Sequence, residues 1–307
     1  MKVRILSDLH LDVNEKHPFE LKDKETFTIL CGDISGNPKI TTEWIRNNVH
    51  HGVFVSGNHL VYNHEGKTID ELREDMYKAD TGDCTYLDCM VQGCPIYRKL
   101  DEKTVIIGST MYTDFTLGAR KQDGSISDSA VTRNMYNSEC RMNDYRWGRV
   151  RVDAMKTRHL NAKDVEAGFR NFFPRLKIAA EEIFKDKNII VVTHYCPSIK
   201  CISRDYLESD VNASYVVPLD DFIKKHPNIR LWCCGHVHHQ DVLKVGRCKI
   251  VMNPRGYVAH CEDYDFDSRL WVDTETWAIH KHKKLKAEKK DFDERSDNLL
   301  KCTAWLM

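Results

Sequence analysis

Eight residues of this chain have types and spacings that suit metal and proton chemistry. They fall in five short motifs: Ser7-Asp8-Leu9-His10, Gly32-Asp33, Gly57-Asn58-His59, Thr193-His194 and Gly235-His236-Val237-His238. The set contains two Asp, one Asn and five His. Carboxylates and imidazoles together suit divalent first-row metals such as Mn, Fe, Zn, Co and Ni. Asp8 and His10 share one face of an extended segment, as do His236 and His238, because alternate residues point the same way. Gly32, Gly57 and Gly235 permit turns that a Cβ would obstruct. One such motif is weak evidence, since a single His or Asp is more often a satisfied polar group than a ligand. Five in series, each closing an apolar run, are not explained by packing.

The runs that must position these residues are VRIL at 3–6, TFTILC at 26–31, VFVSGN at 53–58, NIIVVTH at 188–194 and IRLWCCGH at 229–236. Each reads as a strand that stops at a motif. In open α/β sheets, functional residues collect at strand C-termini, where loops converge. VIIGST at 105–110, QDVLKV at 240–245 and KIVMNP at 249–254 read as further strands. SRLWVDT at 268–274 and TWAIH at 276–280 read as a closing hairpin.

Helices are expected between these strands. One spans 40–49, with Ile40, Trp44, Ile45 and Val49 on one face. A second spans 68–79, with Thr68 as N-cap and Glu71 three residues on. A third spans 161–185, capped by Asn161 and kinked at Pro174. A short one over 218–225 opens at Pro218. Residues 114–160 show only weak periodicity. A structureless loop of that length would be unusual, so they read as a lid or binding element with some helix.

Composition bounds the rest. A prior of about 150 residues per domain would allow two domains in 307 residues, but large α/β domains exceed it. One domain over 1–280 is expected, followed by a Lys-rich tail at 281–307. The tail reads as a solvated helix or frayed terminus, with a nucleic-acid-facing patch as the sharper alternative. Lys plus Arg and Asp plus Glu are both 46, and this zero net charge argues against coating nucleic acid by bulk charge. Hydrophobic residues at 41% suffice for a large core. Mean hydropathy is −0.53, and no apolar run approaches the roughly 20 residues a membrane helix needs, so no membrane partner is expected. MKVRILSDLH lacks the apolar stretch and cleavage site of a secretory leader, and a cytoplasmic location is expected. The twelve Cys read as buried thiols in a reducing compartment. Cys84, Cys89 and Cys94 lack the paired spacing of a structural zinc site.

SDLH, GD, GNH, TH and GHVH in this order resemble the calcineurin-like metallophosphoesterase superfamily. TMYTDF at 110–115, MNDYR at 142–146, VTHYCPS at 192–198 and MNPRGY at 252–257 resemble a widespread bacterial and phage branch of it. The resemblance covers about residues 1–275 and leaves out the tail. It implies a four-layer αββα sandwich of two mixed sheets flanked by helices. It also implies two divalent metal ions, with Mn first and Fe, Zn, Ni or Co as alternatives. Carried over by position, Asp8, His10, Asp33 and His238 would hold one ion. Asp33, Asn58, His194 and His236 would hold the other, with Asp33 bridging. The ions would trap a bridging water and lower its pKa, and the hydroxide would attack phosphorus in line. His59 would stand beside the phosphate and protonate the leaving oxygen.

This sequence also departs from the pattern. Leu60 follows GNH where many relatives carry Asp or Glu, so a carboxylate that would orient His59 is missing there. Ser56 stands where protein phosphatases carry Arg. Repair nucleases and protein phosphatases are therefore weaker analogies. Arg255 is a candidate clamp for a phosphate oxygen, against a structural role beside an acidic loop. Asn143, Asp144 and Arg146 lie in the excursion and could reach the site, and Asn58, Asn143 and Arg146 are further substrate-binding candidates. Tyr62 and His64 lie just past His59. Tyr112, Trp147 and Tyr257 could stack a base, though aromatics usually pack. The expected function is a phosphodiesterase acting on a small nucleotide-type phosphodiester. A phosphomonoesterase or protein phosphatase is the alternative on the same site. A nuclease gripping nucleic acid through the tail is not favoured. A non-enzymatic scaffold should have lost ligands, and here all eight residues are present. Oligomeric state is not set by these features.

Overall fold

The computed structural model describes residues 1–62 and 66–282. His64 and residues 283–307 of the Lys-rich tail lie outside the described residues. The first strands are β1 (Lys2–Leu6), β2 (Phe27–Cys31), β3 (His51–Val55), β4 (Asp83–Tyr86), β5 (Tyr97–Lys99) and β6 (Thr104–Gly108). They are followed by β7 (Arg149–Arg151), β8 (Thr157–His159), β9 (Asn188–Val192) and β10 (Ile229–Cys234). The last are β11 (Asp241–Val245), β12 (Cys248–Met252), β13 (Trp271–Asp273) and β14 (Ile279–His280). The helices are α1 (Pro38–Asn48), α2 (Ile69–Lys78), α3 (Asp128–Arg141), α4 (Asp144–Trp147), α5 (Ala162–Ile178) and α6 (Asp220–Lys225).

Two six-stranded sheets form, in the orders β14-β13-β1-β2-β3-β4 and β11-β12-β10-β9-β6-β5. Strands β1 to β4 are parallel, and so are β12, β10, β9 and β6. Antiparallel β13, β14, β11 and β5 complete the edges, so both sheets are mixed. The strands are buried on both faces, which is why they read as near-continuous apolar runs. Val3, Ile5, Ile29, Val53 and Val55 meet Ile190, Val192, Leu231 and Val251 between the sheets. The alternate residues Leu6, Leu30 and Phe54 pack outward with Ile45, Leu72 and Met76 of α1 and α2. On the second sheet, Val105, Ile107, Val191 and Trp232 pack with Phe169, Phe172 and Leu176 of α5. The result is the expected four-layer α/β sandwich. Each such side chain contributes about 1.5–3 kcal/mol when fully buried.

The caps of two helices follow the local sequence. Thr68 and Glu71 form a reciprocal capping box at α2, and Asn161 and Asp164 do the same at α5. Pro174 lies inside α5, which runs to Ile178 and continues as a wider turn over Ala179–Ile183. The first helix differs from expectation. It starts at Pro38, capped by Asn37, and turns Pro38, Thr41, Thr42, Ile45 and Asn48 inward. Ile40 is 36% exposed, because it falls two residues off that face.

The excursion at 114–160 is folded. It contains α3, α4 and the β7–β8 hairpin; α3 packs on α5, and α4 packs on the tight turn His59–Tyr62. The described cysteines are all free. Most are buried, but Cys140 is exposed because α3 is a surface helix. Cys84, Cys89 and Cys94 form no three-ligand group among the described residues. Among those residues no helix is long and apolar enough to cross a membrane.

Candidate metal centre

Strands β1, β2, β3, β9 and β10 all deliver their motifs to one edge, and backbone hydrogen bonds lace the loops together. Asp8 N donates to the Gly32 carbonyl, His10 N to Asp33, Asp33 N to Ser56, and Gly235 N to His194. The chain bends sharply at the motif residues. Asp8, His10, Asp33, His236 and His238 all have φ between 45° and 72°. A left-handed backbone costs an L-residue roughly 1–2 kcal/mol, and such strain gathers at functional sites. Gly57 also has a positive φ, of 81°, and a Cβ built there would overlap the Asp33 carboxylate. A Cβ at Gly235 would overlap Asp8 in the same way.

The donor atoms converge in groups. Asp8, His10 and His238 form one; Asp33, His194 and His236 form another; His10, Asp33 and His59 form a third, with ligand atoms within 4.8 Å in each. Nε2 of His10 and Nε2 of His238 are 2.9 Å apart, and Asp8 Oδ1 lies 3.5 Å from His238 Nε2. His194 Nε2 sits 2.9 Å from Asn58 Oδ1 and 3.1 Å from Asp33 Oδ2. Asp33 Oδ1 accepts from the His59 amide at 2.9 Å, and His59 Nε2 lies 3.8 Å from Asp33 Oδ2. Asp33 thus stands between the two sets of ligands.

Residues outside the motifs hold these side chains. Glu262 accepts from His238 Nδ1 at 2.6 Å and from the Tyr257 amide at 2.8 Å. The Cys31 carbonyl meets His194 Nδ1 at 2.8 Å. The Tyr257 hydroxyl lies 3.2 Å from His59 Nε2. The Tyr62 ring lies 4.1 Å from the His59 ring, and its hydroxyl donates to Asp144 Oδ2 at 3.0 Å. Asn14 Nδ2 ties the Leu9 carbonyl to that of Gly256 and so joins the first motif to the loop carrying Tyr257. Sequence patterns do not single out Glu262, and they offer Tyr257 only as an aromatic that could stack a base or pack.

Burial works against charge on Asp8, His10, Asp33, His194, His236 and His238, and pairing decides which of them carry it. Burial opposes protonation of His194, but the Asp33 carboxylate overcomes this and lifts it to about 9. Asp8 and Glu262 likewise outweigh burial at His238 and raise it to about 10. Burial and the neighbouring imidazole push His10 and His236 down to about 3. Against burial, His238 and His194 hold Asp8 at about 2. His194 and His59 hold Asp33 well below the usual carboxylate range, also against burial. Burial raises Asp144. The protons on His194 and His238 offset part of the charge of Asp8, Asp33 and Glu262, and a cation would take the place of those protons.

The other candidates lie in distinct places. Arg255 is buried, with Nη2 donating to the His17 carbonyl at 2.6 Å and its guanidinium 5.2 Å from the Phe19 ring centroid. Its Nη1 is buried without a hydrogen-bond partner. In MNDYR, Asp144 and Tyr145 turn inward while Asn143 and Arg146 are exposed. Tyr112 packs in the core and accepts from Arg73 at 3.1 Å. Trp147 is exposed. Leu60, only 1% exposed, packs in the outer core under α1 and α2 rather than facing the site.

The donor sets fit divalent cations. Carboxylate oxygens, an amide oxygen and imidazole nitrogens converge, and the buried His10 Nδ1 has no hydrogen-bond partner. No protein-family model matches the chain. No curated protein matches it in sequence. Among solved structures it is similar to phosphopantetheinyl hydrolase from Mycobacterium tuberculosis, at 12% identity over 83% of this chain and 89% of that one, with a TM-score of 0.56. It also matches a putative 5'-nucleotidase from Staphylococcus aureus at 11% identity, covering 96% of this chain and 58% of that one, with a TM-score of 0.42. A dimetal phosphatase from Danio rerio matches at 11% identity over 84% and 88% of the two chains, with a TM-score of 0.43. The likeness to the first of these shows that this chain shares the fold of that hydrolase, two mixed sheets packed face to face and flanked by helices.

Proposed function

We propose that the protein is a metal-dependent phosphoesterase that hydrolyses a P–O bond, with a small nucleotide-type phosphodiester as its substrate class and the cytoplasm as its location. The observation that carries this reading is the shared position of Asp33. Its carboxylate lies within 4.8 Å of ligand atoms of His194 and His236 in one group and of His10 in another, and 3.1 Å from His194 Nε2. In this reading Asp8, His10, Asp33 and His238 hold one cation, and Asp33, Asn58, His194 and His236 hold a second. A pair of divalent cations, Mn first among them, supplies Lewis acidity toward a phosphoryl oxygen and lowers the pKa of water.

The chain's own residues do the rest. His59 delivers a proton to the leaving oxygen, held by the Tyr257 hydroxyl on one side and the Tyr62 ring on the other. Glu262 keeps the His238 ring turned so that Nε2 faces Asp8. Arg255, held by the His17 carbonyl and the Phe19 ring, is left as a structural residue in this reading. The exposed Asn143 and Arg146 are assigned to the remote part of the substrate. Zero net charge favours a small substrate over a long duplex.

The test is Mn-dependent hydrolysis of bis-p-nitrophenyl phosphate against p-nitrophenyl phosphate, with Asp33→Asn as blank. A preference for the diester that is absent from the blank supports the reading. A preference for the monoester replaces it with a phosphatase. Two bound metals without turnover of either substrate would count against both.

A further inference from the structure

Asp144 carries the 114–160 excursion into the ligand set. It opens α4 and is only 3% exposed. Its Oδ2 accepts from Asn58 Nδ2 at 3.4 Å and from the Tyr62 hydroxyl at 3.0 Å. The other end of the same amide, Asn58 Oδ1, lies 2.9 Å from His194 Nε2. A carboxamide has one donating and one accepting end, whereas an ionised carboxylate only accepts. A carboxylate at 144 therefore draws the NH2 of Asn58 toward itself. That leaves the oxygen, the end able to ligate a cation, facing His194. The same carboxylate anchors the Tyr62 hydroxyl and so keeps the Tyr62 ring 4.1 Å from the His59 ring. A buried carboxylate is costly unless it is hydrogen-bonded. Both side chains that bond this one come from the segment carrying Asn58 and His59. Position 60, the neighbour of His59, supplies only a buried Leu.

We propose that Asp144 is a positioning residue. It fixes the Asn58 amide with its oxygen toward the second cation, and it fixes Tyr62 against His59. This rests on the metal-centre reading above. The excursion is then part of the centre rather than a cover added to it.

The test is Mn(II) titration of metal-free protein, followed by electron paramagnetic resonance, for the wild type, Asp144→Ala, Asp144→Asn and Tyr62→Phe. The wild type should bind two Mn. Asp144→Ala should weaken the second step by about 10–100-fold, the usual cost of losing an outer-shell partner, and leave the first in place. Asp144→Asn keeps the shape but can pair with either end of Asn58, and should weaken the second step by a smaller factor. Tyr62→Phe should keep both steps and lower kcat on substrates with poor leaving groups. Unchanged Mn steps in an Asp144→Ala protein with native circular dichroism would overturn the role. If that variant does not fold, the same Mn steps in Asp144→Asn decide. Two Mn bound by the wild type without phosphoester turnover would sink the enzyme reading and leave Asp144 to be judged by the titration. Fewer than two bound would sink both.

Discussion

His10 and His238 point their Nε2 atoms at each other across 2.9 Å, though 228 residues separate them in the chain. One follows β1 and the other follows β10, so the two sheets of the sandwich set this spacing. The pair is unequal. Glu262 backs the Nδ1 of His238, while the Nδ1 of His10 is buried without a hydrogen-bond partner. His238 is accordingly raised to about 10 and His10 lowered to about 3. These shifts make His238 the donor and His10 the acceptor of the pair, and a cation held by both would displace that proton.

Metal binding should therefore release protons. At pH 7.5 His194 and His238, raised to about 9 and 10, are protonated in the metal-free protein. Titration calorimetry with Mn in buffers of differing ionisation enthalpy should show up to two protons released per protein. Buffer-independent heats would refute this protonation pattern.

The stability of the metal-free protein should follow the same shifts. The folded values of His194 and His238 lie above the unfolded value of 6.5, so their contribution is complete below pH 6.5 and is lost as pH rises through 9 to 10. His10 and His236 are lowered to about 3, so their contribution is lost as pH falls from 6.5 toward 3. Urea denaturation across pH should give a maximum near 6.5 without metal. Saturating Mn should move that maximum upward, because the ligands then need no protons.

Asp33→Asn should cost more than the about 10–100-fold in metal affinity typical of an outer-shell loss, because Asp33 stands between both ligand groups. Elemental analysis should find both ions depleted, with turnover abolished. Full metal content with normal rate would remove Asp33 from the bridging position.

His59→Ala should keep both metals and lose turnover. A general acid typically contributes about 10²–10⁴-fold, and the loss should be smaller for p-nitrophenol, which leaves without a proton. Comparing p-nitrophenyl and alkyl esters separates the cases, and equal losses on both would take His59 out of the acid role.

Gly57→Ala should destabilise the metal-free protein by more than the roughly 1–2 kcal/mol of a left-handed backbone, since the new Cβ also meets Asp33. A urea midpoint within error of wild type would mean that Asp33 can move aside, and Mn affinity would then show whether it still ligates.

The layers and the ligand edge were legible in the chain because their causes are local. Apolar runs that end in Asp, Asn, His or Gly mark where strands stop, and the capping boxes at Thr68 and Asn161 need only neighbours three residues on. Ile40 falls outside the buried face because the helix begins at Pro38, which faces inward and sets the phase of the residues that follow.

What holds the ligands was decided by the tertiary structure. Asn58 meets Asp144 across 86 positions, His238 meets Glu262 across 24, and His59 meets Tyr257 across 198. No periodicity links such pairs. Asp144 faces inward while Asn143 and Arg146 face out only because α4 docks on the His59–Tyr62 turn. Leu60 leaves the site for the same kind of reason: its side chain belongs to the core beneath α1 and α2. Which residue types stand at the strand ends, and in what order, is readable from the chain because strand and turn formation depend on near neighbours. Only the stacking of two sheets and the docking of a distant helix decided which carboxylate holds which ligand, because those contacts depend on the relative placement of elements far apart in the chain.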